Sequence, residues 1–145
     1  MRTLILIAHS SRHRRLATLV KKHQRVLEEF RLISTAESGE VLEAETGLEV
    51  THLFPAKKGG DIQLCGLVCT NTIAAVIFLN DPLTVDAAEP DVQQFLCACD
   101  LNHVPLATNV VSAHALITWL GRHFGDEAGV GETDATPAED RGVLQ

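Results

Sequence analysis

The sequence lacks any excess of basic residues. Its 12 Lys and Arg stand against 19 Asp and Glu, for a formal charge of −7 at pH 7. That argues against a dedicated nucleic-acid binder, which shows a net basic face. No apolar run approaches the ~18 residues of a membrane span. The opening eight residues are too short for a secretory leader. The expected compartment is therefore the cytoplasm, where the four cysteines stay reduced thiols. Internal repeats are also missing. The cysteines show no usual zinc spacing: Cys65 and Cys69 lie one helical turn apart, and Cys97 and Cys99 fall on a different segment. They read as small apolar helix residues, and no metal is expected.

What is present is a chain of 145 residues with 46% apolar content, enough for one compact domain with a real core. The charge is uneven. Residues 125–145 hold six acids against Arg141 alone, a net −5 that leaves −2 for residues 1–124. With so little to bury, 125–145 is expected to be a mobile acidic tail behind a domain spanning 1–124.

Hydrophobic patterning predicts alternating elements. Thr3–Ala8 is a continuous apolar run, the mark of a strand buried on both faces. His9 follows, then Ser10 and Ser11, either of which is expected to cap a helix whose apolar residues repeat from Leu16 to Phe30. Further strands are expected at 31–34, 48–54, 74–79 and 105–108. Helices are expected at 40–46, 62–70, 90–102 and 112–123, with Gly47 as a left-handed stop and Pro90 in a first turn. This order implies an α/β fold: a single-domain, doubly wound, mainly parallel five-stranded sheet in a Rossmann-like three-layer arrangement.

Ligands of such sheets bind past the carboxyl ends of the strands. Asp61, Asp81 and Asp91 fall at those ends. Separately, Asp61 and Asp91 read equally well as helix caps and Asp81 as a turn former. Together around one crevice they suggest acid–base work on a small molecule. A carboxylate has low basicity, so burial or a like charge must raise its pKa, and neighbouring carboxylates would do that. The amides near Thr35–Gly39 and Gly59–Asp61 are candidates for holding an anion, helped by Lys57 and Lys58 and opposed by Glu37.

Taken in order, the strand-end segments resemble the methylglyoxal synthase family. They are Ile7-Ala8-His9, Ser34-Thr35-x-x-Ser38-Gly39, Gly59-Gly60-Asp61-x-Gln63, Asp81-Pro82-Leu83, Glu89-Pro90-Asp91-Val92 and Pro105-Leu106-Ala107-Thr108-Asn109. The resemblance implies a lyase that converts dihydroxyacetone phosphate to methylglyoxal and inorganic phosphate through an enediolate. It implies a homohexamer with no metal or organic cofactor. By resemblance Asp61 is the catalytic base, with Asp91 and Asp81 as supporting acids. His9 contacts substrate, and Thr35, Ser38, Gly39, Ala56 and Gly60 fall in its phosphate-binding segments.

The chain departs from the family pattern at several places. Ser10 replaces an aspartate, His13 a lysine, Glu37 a threonine, Pro55-Ala56 a Ser-Gly pair, and Ala88 an active-site histidine. Arg12, His13 or the two lysines are the candidates to replace lost phosphate contacts. Two other readings stand beside the lyase. One is a non-enzymatic small-molecule-binding or regulatory module of the same fold, and the other is a related enzyme with a different substrate.

Overall fold

The computed structural model describes residues 1–124, so the expectation of an acidic tail at 125–145 lies outside the described residues. Five strands form one sheet: β1 (Thr3–Ala8), β2 (Arg31–Ser34), β3 (Val50–His52), β4 (Ile73–Leu79) and β5 (Leu106–Ala107). Their order is β3-β2-β1-β4-β5, and every pairing is parallel. The helices are α1 (His13–Lys22), α2 (Gln24–Leu27), α3 (Ala36–Thr46), α4 (Gly60–Val68), α5 (Val92–Asn102) and α6 (Val110–Phe124).

The period-two alternation of β1 explains its unbroken apolar run. Leu4, Leu6 and Ala8 enter the core built with α1, α2, α3 and α6, whereas Ile5 and Ile7 enter the core built with α4 and α5. All six residues of β1 and all seven of β4 are buried. Each large aliphatic side chain so placed contributes roughly 1.5–3 kcal/mol over exposure. The sheet is therefore held from both sides, which fixes its strand ends in space.

Several boundaries differ from the sequence reading, for identifiable reasons. Helix α3 starts at Ala36 rather than 40, because Gly39 lets it lie close to β3. A Cβ there would sit 2.5 Å from the His52 ring. The third strand is confined to Val50–His52, although Leu53 still donates to the Ser34 carbonyl at 2.8 Å. Helix α5 begins at Val92, because Asp91 rather than Pro90 forms its cap. Neither Ser10 nor Ser11 caps α1; Ser10–Arg12 is a short 3-10 turn leading into it.

Candidate active site

The sheet reverses its winding between β1 and β4, and a crevice opens there past the carboxyl ends of the strands. One side chain spans that opening. The imidazole of His9 is 2% exposed. Its Nδ1 accepts the Asp81 amide at 2.7 Å, and its Nε2 lies 2.7 Å from the Pro90 carbonyl. An amide can only donate and a carbonyl can only accept, so Nδ1 is bare and Nε2 carries the hydrogen. The ring lies edge-on to Phe78 at 5.1 Å between centroids. Both of its polar atoms are thus satisfied by backbone.

Around His9 lies a cleft of about 730 Å³ whose walls include Asp61, Asp81 and Asp91. The sequence pattern brings these three carboxylates to one place, and the structure does so as well. Asp61 sits in the first turn of α4 and is 7% exposed. It is no cap of its own helix. Its Oδ2 accepts the Asp91 amide at 3.1 Å across the crevice, and its Oδ1 makes no hydrogen bond among the described residues. Asp91 is the true cap, accepting the Gln93 amide at 2.9 Å.

Asp81 is tied differently. It accepts the Ser11 hydroxyl at 2.6 Å and the Leu83 amide at 3.0 Å, and Arg12 stands 3.9 Å away. The Ser11 and Leu83 hydrogen bonds, with help from Arg12, hold its carboxyl below the ordinary range. It is ionised at neutral pH and is fitted to orient a donor rather than to supply a proton. Arg12 reaches toward this carboxylate.

A second cavity of about 200 Å³ adjoins the cleft, with Thr35, Glu37, His13 and Ala56 in its walls. Most of the polar groups expected to bind phosphate are already partnered here. Ser38 Oγ accepts the Ala8 amide at 3.2 Å and lies 3.2 Å from His13 Nε2. Burial pushes His13 below its ordinary value, so it is neutral at pH 7. The amides of Gly59 and Gly60 turn inward to the carbonyls of Ala56 and Pro55, both at 3.0 Å. Gly39 donates to the Thr35 carbonyl inside α3 at 2.9 Å. Gly60 has a packing role, since a Cβ on it would fall 1.7 Å from the Phe54 carbonyl oxygen. Thr35 is 1% exposed, and its hydroxyl makes no capping bond.

Three further positions belong to the site. Ser11 holds Asp81, and Glu89 accepts the Ser10 amide at 3.2 Å on each carboxylate oxygen. Gln63 accepts the Phe54 amide at 3.0 Å and pins the loop before α4. Gln63 and Glu89 stand inside the quoted motifs, but nothing in their spacing indicates a backbone partner. Among the described residues, no cysteine lines the cleft or the smaller cavity. Burial, then Asp61, Cys69 and Asp91, push the Cys65 thiol up to about 12, so it is uncharged at neutral pH.

Comparison with known proteins gives a consistent answer. The chain is 39% identical over 120 residues to a methylglyoxal synthase of Thermus thermophilus, covering 83% of this chain and 95% of that one. The chain belongs to the methylglyoxal synthase family. The Cupriavidus taiwanensis methylglyoxal synthase is 36% identical over 122 residues, 84% of this chain and 92% of that relative. The crystal structure of methylglyoxal synthase from Elizabethkingia anophelis NUHP1 superposes with a TM-score of 0.77 at 30% identity, over 81% of this chain and 77% of that one. No protein-family model matches the sequence. Among the described residues, no helix is long and apolar enough to cross a membrane.

Proposed function

We propose that this methylglyoxal synthase relative is a lyase that converts dihydroxyacetone phosphate to methylglyoxal and inorganic phosphate. The observation that carries the reading is Asp61. Its carboxylate is buried, held by one oxygen on the Asp91 amide, and among the described residues has its other oxygen without a partner, beside a cleft at the switch point of the sheet.

In this reading Asp61 Oδ1 removes a proton from the hydroxymethyl carbon alpha to the substrate carbonyl. The C–H electron pair forms the enediolate. That pair then drives out phosphate as the ester C–O bond breaks, and the resulting enol takes a proton on its methylene carbon and gives up its hydroxyl proton, leaving methylglyoxal. No water is consumed. Asp91 is a positioning residue, acting through its amide on Asp61. Asp81, kept ionised, accepts a substrate hydroxyl. Ala88 offers no imidazole to the developing oxyanion, and the loss of one such donor typically costs on the order of 100- to 1,000-fold. Turnover is accordingly expected to be slow.

The same reading takes the chain to be a cytoplasmic homohexamer that needs neither metal nor organic cofactor. A monomer mass at micromolar concentration overturns the assembly. The lyase reading is tested by incubating the purified chain with dihydroxyacetone phosphate and measuring both products. Equal amounts of methylglyoxal and phosphate, above the uncatalysed rate, are expected. Binding without turnover supports the second reading, a non-enzymatic module. The observation that favours that reading is the internal carboxylate set against the Ala56 amide.

A further inference from the structure

Two backbone amides on the smaller cavity are held by glutamates from distant parts of the chain. Ala56 donates to Glu37, with N···O distances of 3.1 and 3.3 Å, and Ser10 donates to Glu89. Both glutamates line the cavity, and so does the almost fully buried Thr35, whose hydroxyl makes no capping bond. The charge balance there is unusual for a place that is to receive an anion. His13 is neutral at pH 7, and among the described residues Lys57 is the cation in the wall.

Glu37 is also well placed to stay. It stands in the first turn of α3, where a negative charge is favoured. A carboxylate accepting a backbone N–H makes a charge-assisted bond of about twice the ordinary strength. An incoming dianion must break that bond and then remain beside the displaced charge.

We propose that Glu37 is an internal substitute anion. Its carboxylate occupies the Ala56 amide, a donor that the lyase reading gives to the substrate phosphate, and so sets the affinity of the cavity for dianions. The proposal rests on the lyase reading for the identity of the dianion, which is the substrate phosphate on the way in and inorganic phosphate on the way out. Glu37 weakens both. The enzyme loses substrate affinity and is correspondingly resistant to inhibition by its own phosphate product.

The test uses the full chain and inorganic phosphate, with no turnover involved. Affinity is measured by calorimetry for the parent, Glu37→Thr, Glu37→Gln and Glu45→Gln. Glu45 carries the same charge but pairs with Lys21 on the surface, so its variant controls for net charge alone. Glu37→Thr is expected to bind phosphate about 10- to 100-fold more tightly than the parent, the worth of one charge-assisted hydrogen bond. Glu37→Gln keeps the shape without the charge and is expected to lie between them, which covers any misfolding of the threonine variant. Glu45→Gln is expected to match the parent. In solution NMR, the Ala56 amide of Glu37→Thr is expected to shift before phosphate is added and to shift back on saturation. Equal phosphate affinity in the parent and both Glu37 variants overturns the proposal. So does an equal gain in Glu45→Gln. Because binding is read directly, these results stand whether or not the chain turns over dihydroxyacetone phosphate.

Discussion

The cleft and the smaller cavity share one wall yet have opposite characters. In the cleft, Asp61 keeps an oxygen without a partner among the described residues, and Asp81 is held ionised by Ser11 and Leu83. In the cavity, the Ala56 amide and the Ser10 amide are both occupied from within the chain. The contrast teaches that two halves of a site can change separately. A base needs one oriented carboxylate, whereas gripping a dianion needs several donors left open at once. A single residue such as Glu37 is enough to fill one of those donors.

The most damaging way to break the comparison is Asp61→Asn. The amide keeps the shape but cannot take the proton, so phosphate release is expected to fall by roughly 100- to 10,000-fold while the far-ultraviolet circular dichroism stays unchanged. Near-normal activity in that variant removes Asp61 as the base. The opposite intervention is made in the cavity. Ala88→His with Glu37→Thr is expected to raise turnover about 100-fold if an oxyanion contact returns. Glu37→Thr alone should act chiefly on KM, because it removes a repulsion present throughout the reaction. Steady-state phosphate release for the parent, both single variants and the double separates the two effects.

A stability change comes next. Gly60→Ala drives a Cβ into the Phe54 carbonyl and is expected to cost about 3 kcal/mol, read from denaturant unfolding. Gly66→Ala, with open space around its Cβ position, is the control. The smallest effect concerns His13. Its folded pKa lies below 6.5, so between that value and 6.5 the unfolded chain binds more protons than the folded one. Stability is therefore full above pH 6.5 and is lost as pH falls through the folded value. His13→Gln should flatten the dependence of Tm on pH in that window. Some slope should remain, because burial, His114 and Lys22 also hold His23 down.

The sheet was legible because β1 and β4 are apolar without a break, a pattern that only two-sided burial demands. Asp61, Asp81 and Asp91 were legible as a group because the winding of a parallel sheet places strand ends together. Their separate duties were not. Whether Asp61 caps its own helix or reaches the Asp91 amide depends on how two loops approach each other, and local sequence does not encode that distance. Helix α3 begins four residues before its apolar pattern suggests, because Ser38 and Gly39 look like turn residues until β3 is seen to need the space. His9 is read from the sequence as a substrate contact, and the structure adds that its ring nitrogens meet the Asp81 amide and the Pro90 carbonyl. No sequence pattern distinguishes an imidazole that binds a ligand from one that binds backbone.

That imidazole has a consequence for how the chain can vary. By joining the Asp81 amide to the Pro90 carbonyl, His9 closes the intervening segment into a ring whose two ends are set by one rigid side chain. Within such a ring the contour between Leu83 and Ala88 is decoupled from what lies outside it. Doubling its length adds only about 0.6 kcal/mol of closure entropy. Insertions and deletions there can redraw the rim of the cleft while Asp81 and Asp91 keep their places, so the mouth of the site can change without its carboxylates moving.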